Sequence, residues 1–305
     1  MSTDISTLNT SNFAQLAQAM GMEADTKTKK QTSTLARLKI DHSGVMGETE
    51  SKGKKKKVEV VEAGSFCLTL PEEQNKIGDS SLPKLYDAKP KIRLFQQKYM
   101  YKRYLTSGGP EGKGMFVKTE MANDLKGDLR DNTGGFNCGK PSGWIEDYNS
   151  LPQDQKDLIK SIKRVRVLFG HITLTAPVNE KGESATLDKA ITPIPFIYEI
   201  DNKEAFKIMG GPIAEMIKQK YLLPQKVLTL GTEERSIASG AKYYVPSVEL
   251  DSGVVELKHP ADEDTFKDFN EWIAGYNNYI ANAYADASKD QDKETVNEFV
   301  DVEAA

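Results

Sequence analysis

Fifteen consecutive residues, KIRLFQQKYMYKRYL from Lys91 to Leu105, hold nine cationic or aromatic side chains and no acid. Such a mixture suits one kind of chemistry. Nucleobases stack on aromatic faces while Lys and Arg follow a phosphate chain, and neither contact reads sequence. With the stretch placed on a strand, alternation sets Arg93, Phe95, Tyr99, Tyr101 and Arg103 on one face, with Lys98 and Lys102 on the other. In KRVRVLFGHITL, Arg164 and Arg166 alternate with Val165, Val167 and Phe169, so a second strand adds two cations to the same path. Trp144, in a glycine-rich loop, is either a further stacking residue or a buried anchor. The bland counterpart is an outer strand face whose tyrosines are covered by Lys and Arg stems.

Catalytic signatures are missing. SGGPEGKG has Ser107 where a phosphate loop needs Gly, and Gly114 where it needs Ser or Thr. Cys67, Cys138, His42, His171 and His259 are scattered rather than spaced as metal ligands. Asp124, Asp128 and Asp131 are interleaved with Lys126 and Arg130, as on a solvated charged surface. Neither a cofactor nor a metal is expected, and the chain reads as a non-enzyme.

Charge is unevenly placed. Residues 285–305 carry seven acids and two lysines, net −5, which leaves +1 for the remainder of a chain whose total is −4. Lys54–Lys57 form a basic run, read as a hairpin loop. No apolar run is long enough to span a membrane, and two widely separated cysteines fit a reducing, cytoplasmic setting.

The elements that must position these residues are mostly strands. LARLKID alternates at Ala36, Leu38 and Ile40; Phe66, Leu68 and Leu70 alternate after a bend at Gly64; TPIPFIYEI, QKVLTL and KYYVPSVEL add three more. Helical spacing appears in LPQDQKDLIKSI, in NKEAFKIMGGPIAEMIKQKYLLP with a break expected at Gly210–Gly211–Pro212, and in a last helix striped by Phe266, Phe269, Ile273, Tyr276 and Ile280. With no βαβ alternation, the expected fold is α+β, mainly β: a small antiparallel barrel of the oligonucleotide-binding kind, with long loop insertions and a C-terminal helix. Residues 1–33 read as a flexible arm suited to self-association, 34–262 as the barrel domain, 263–284 as the helix, and 285–305 as a disordered acidic tail.

On KIRLFQQKYMYKRYL, RVRVLFG, the QKVLTL…AKYYVPSVEL hairpin and the acidic end, the chain resembles the single-stranded DNA-binding proteins of tailed bacteriophages. KTKKQTST, Lys27–Thr34, is also similar to the basic, hydroxyl-rich N-terminal segments of some of them. The resemblance implies sequence-tolerant binding of single-stranded DNA in replication or recombination. It also implies a tail that recruits protein partners through Phe299, Val300, Asp301 and Glu303, in the cytoplasm of the host cell. The alternative is a virion structural or assembly protein that uses the same tyrosines in protein contacts.

Overall fold

The computed structural model describes residues 35–51, 54–71, 84–107, 113–186 and 192–303. The N-terminal arm and Lys27–Thr34 lie outside them. The strands are β1 (Ala36–Ile40), β2 (Val45–Ser51), β3 (Lys54–Val61), β4 (Phe66–Thr69), β5 (Lys84–Asp87), β6 (Lys91–Leu105) and β7 (Met115–Lys118), then β8 (Lys163–Thr173), β9 (Ile194–Ile200), β10 (Val227–Ser236) and β11 (Lys242–Leu250). Three helices join them: α1 (Gln153–Ser161), α2 (Lys203–Lys218) and α3 (Ala261–Glu303). Among the described residues, one sheet runs β11-β10-β6-β8-β9-β1-β4-β5, with β7 paired to the outer end of β6 and β2–β3 forming a separate ribbon. No helix there is long and apolar enough to cross a membrane.

The expected α+β, mainly β class holds; the closed antiparallel barrel does not describe these pairings. β1 runs parallel to β9, Ala36 opposite Phe196 and Leu38 opposite Tyr198, and the sheet is open. Alternation reveals a strand but says nothing of its neighbour. The middle of the β10–β11 hairpin lies against the turn before β4, where Thr232 Oγ1 donates to Gly64 O at 2.9 Å. Gly64 has φ +90°, and a Cβ there would lie 2.6 Å from the Tyr244 ring, so only glycine fits.

Two apolar layers sandwich the sheet. On one side Leu38, Leu68, Ile92, Leu94, Leu168, Phe196 and Leu230 close over Ala205, Met209, Ile213 and Met216 of α2. On the other, Phe95, Met100, Val165, Val167 and Phe169 meet Phe269 and Ile273 of α3. Each large side chain so buried contributes roughly 1.5–3 kcal/mol. Four of the five expected stripe residues of α3 lie on this inward side, and Phe266 is exposed.

Three local expectations change. Helix α2 passes through Gly210–Gly211–Pro212 without ending. Gly210 is a clearance rather than a breaker, since a Cβ there would meet Arg166 Nη2 at 2.7 Å. Asn202 starts the helix, its side chain accepting the N–H groups of Glu204 and Ala205. Lys54–Lys57 open strand β3 instead of capping a hairpin; Glu48 of β2 lies opposite Lys57 and pairs with Lys55 at 3.2 Å, a cross-strand contact that offsets part of the charge. Helix α3 continues to Glu303, through the residues expected to be a disordered tail. The side chains of Phe299, Val300, Asp301 and Glu303 lie outside the described set.

Helix α3 is fastened at its start by a bidentate pair. Arg93 Nη1 and Nη2 donate to Asp262 Oδ1 and Oδ2 at 2.8 and 2.7 Å, and Arg93 Nε donates to Pro224 O at 2.6 Å. The Arg93 hydrogen bonds hold the Asp262 carboxyl below its ordinary value. A depressed carboxylate stabilises the fold above its unfolded pKa, about 3.9, and loses that contribution as pH falls through the folded value. Asp262→Asn should therefore lower unfolding free energy by roughly 1.5–3 kcal/mol at neutral pH, with the gap to the native chain closing below pH of about 4. Denaturant titrations at both pH values check this, and a gap that does not change with pH would refute the assignment.

Candidate nucleic-acid interface

The strand carrying most of the expected site residues is not regular. In the β6–β8 ladder Leu94 faces Gly170 and Gln96 faces Phe169, so Phe95 is an extra, unmatched residue. A bulge of this kind places two successive side chains on one side and shifts the alternation of everything beyond it. The expected single row is thereby split. Arg93 and Phe95 face α3, whereas Gln97, Tyr99, Tyr101 and Arg103 face the α2 side.

The α3 side does not form the expected groove. Phe95 is buried against Phe269 and His171, so its ring offers no face to a base. Arg93 is engaged by Asp262 and lies 5.1 Å over the Phe95 ring. Lys98 donates to Asn123 Oδ1 at 2.6 Å. Lys102 reaches Glu199 at 3.8 Å and Asp201 at 3.6 Å; Lys118 takes Glu199 at 3.1 Å, and Lys163 takes Asp201 at 3.1 Å. Arg93, Lys102, Lys118 and Lys163 are thus paired with carboxylates and Lys98 with an amide, while Lys91, at the start of β6, is exposed without a carboxylate partner among the described residues.

The α2 side is different. Arg166, only 7% exposed, lies 4.5 Å over the Phe206 ring and 5.3 Å over Tyr99. It donates to Gln97 Oε1 and, at 3.3 Å, to Tyr99 Oη, while its Nε is buried with no partner. Burial pulls its pKa down. Arg164, two residues earlier and exposed, sits 5.9 Å over Phe206. Arg103 reaches the carbonyl of Cys138 at 3.4 Å. Among the described residues none of these three arginines has a carboxylate within ion-pair distance. Tyr101 is buried, its hydroxyl donating to Leu125 O, and Lys140 lies 5.0 Å over its ring. It is thus a support rather than a stacking surface.

Lys140 and Trp144 come to this side on an irregular segment tied by acids. Asp128 accepts from Gly143 N and from the Asn137 amide at 2.6 and 2.7 Å. Asp131 accepts from Thr133, Gly135 and Cys138 backbone N–H groups. These carboxylates organise the loop. Lys140 donates to Tyr101 Oη at 3.0 Å and Gly143 O at 2.6 Å, and burial, then Arg164, lowers its pKa. Trp144 follows Gly143 and is 69% exposed, which removes the buried-anchor reading.

Of the expected residues the fold thus gathers Tyr99, Tyr101, Arg103, Arg164 and Arg166, and it diverts Arg93, Phe95, Lys98 and Lys102. Phe206 and Lys140 join them unannounced. Phe206 reads from sequence as one more apolar residue of a helical stripe, and Lys140 as part of a turn. No family model, curated protein or solved structure matches this chain.

Neither cysteine thiol belongs to the site. Burial raises the Cys67 thiol, and burial with Asp131 nearby pushes Cys138 up to about 12. Both should therefore resist a disulfide reagent in the folded protein at pH of about 8 and react at once on unfolding. Stoichiometric labelling without denaturant would contradict that burial.

Proposed function

We propose that this chain binds single-stranded DNA without catalysis and largely without regard to sequence, on the α2 side of β6 and β8. The observation that carries the reading is the contrast between the two sides of those strands. Arg93, Lys98, Lys102 and Lys163, facing α3, are matched by carboxylates or an amide, whereas Arg103, Arg164 and Arg166 have no acid partner among the described residues. An arginine paired within the fold has little left to offer a phosphate. An unpaired, exposed one releases counterions when a phosphate replaces them. In this reading Arg164 and Arg103 follow the backbone, Trp144 and the rim of Tyr99 and Phe206 stack bases, and Arg166 supplies fixed positive potential from beneath.

Fluorescence anisotropy of a labelled oligothymidine across a salt series tests it. Affinity should fall steeply with salt and exceed that for duplex of the same length. Trp144→Ala should weaken binding by the equivalent of about 1–3 kcal/mol. Arg164→Ala should reduce the log–log salt slope by about one, and Lys98→Ala, on the other side, should change neither. No binding at low salt, or equal loss in the Lys98 and Arg164 variants, would sink the assignment.

A further inference from the structure

A cleft with a cavity volume of about 570 Å³ opens between the ends of β1 and β9, the first turn of α2 and the tip of the β10–β11 hairpin. Its size is that of a small-ligand site, and the interface above does not use it. Ile40, Ala205 and Ile237 supply apolar lining, and Tyr243, Tyr244 and His42 supply rings. The rings are held in place. Tyr243 and Tyr244 direct their hydroxyls to Glu204 and Glu234, each at 3.3 Å, and His42 stacks on Tyr244 with centroids 6.4 Å apart. Fixed rings lose little conformational freedom when a flat ligand packs on them.

The charges around the cleft are matched with one exception. Asp201 is held by Lys163, Glu199 by Lys118, Glu204 by Arg235 at 2.9 Å, and Lys242 by Glu234 at 2.9 Å. Lys39 lines the cleft with no carboxylate partner among the described residues. The first N–H groups of α2 are already capped by Asn202, so Lys39 is the group left to meet an anion. His42 Nδ1 accepts the Tyr244 N–H at 3.1 Å, which leaves Nε2 as that ring's donor.

From these features we infer that the cleft binds a nucleobase bearing a phosphate, either as a free mononucleotide or as the end of a DNA strand. The rings and apolar lining take the base, and Lys39 takes the phosphate. The strand-end form rests on the interface proposed above; the mononucleotide form does not.

Calorimetric titration of the full chain with dTMP tests the site, with thymidine and inorganic phosphate as separate arms. dTMP should bind one to one, thymidine more weakly, and phosphate alone undetectably. Lys39→Ala should weaken dTMP about tenfold, the scale of one charge-assisted contact. Ala241→Trp, an exposed lining position, should abolish binding by filling the cleft. Should that variant not fold, Ile237→Trp blocks the cleft from a residue 54% exposed. Competition with 5′-phosphorylated oligothymidine separates the sources: mutual displacement identifies a strand end, and independent binding a mononucleotide. Failure of dTMP to bind at millimolar concentration, or unchanged binding in the filled cleft, overturns the inference. Loss of oligothymidine binding in Trp144→Ala with dTMP binding intact supports separate sites. If the native chain binds dTMP but no oligothymidine, the interface fails and the cleft stands.

Discussion

Strand β6 pairs with β8 along nearly its whole length, and Phe95 is the residue for which β8 has no counterpart. That unmatched position sends Arg93 and Phe95 to the α3 side and Tyr99, Tyr101 and Arg103 to the α2 side, and each helix is docked accordingly. The partner strand is adapted to it: Gly170, opposite Leu94, has the Arg93 carbonyl 2.3 Å from where a Cβ would be. A larger residue there would push the two backbones apart just before the extra residue. The bulge is therefore written into both strands, and it parts Arg93 and Phe95 from Tyr99, Tyr101 and Arg103.

The two sides solve the problem of buried charge differently. Toward α3 the solution is pairing, with Glu199 and Asp201 shared among three lysines. Toward α2, Arg166 is enclosed without an acid. Its charge is met by Gln97 and Tyr99 oxygens and by two ring faces, contacts that compensate desolvation only in part. Gly210 lets the helix approach closely enough to seal this arrangement. The result is a buried cation that no carboxylate among the described residues neutralises, two positions along β8 from exposed Arg164.

Much of the framework is legible in the sequence because it rests on local periodicity. β1, β8, the β10–β11 hairpin and the helices follow apolar spacing, and Arg164 and Arg166 do share a face as alternation requires. What stays hidden is what one residue cannot announce. Nothing in KIRLFQQKYM marks Phe95 as unmatched, because a bulge is defined by the partner strand; its signal is Gly170, far along the chain. The parallel β1–β9 pair and the open sheet are likewise pairwise facts. Phe206 and Lys140 reach the candidate site through tertiary packing alone, Phe206 by the close approach at Gly210 and Lys140 by the loop that Asp128 and Asp131 tie. The Gly-Gly-Pro of α2 misleads because glycine can serve clearance as well as flexibility.

Helix α3 bonds to parts of the chain made long before it. Asp262 holds Arg93, Asn270 accepts from Gln96, Asn277 accepts the Met121 N–H, and the Tyr276 hydroxyl donates to Thr119 O. During synthesis these partners, with Phe95, Val165, Val167 and Phe169, emerge from the ribosome while their cover is still untranslated. A chain made from its N-terminus can assemble the α2 layer first, but the other side of the sheet stays wet and adhesive until residue 280 or so is free. The order of translation thus leaves that apolar face without its own cover until the helix that closes it has been made.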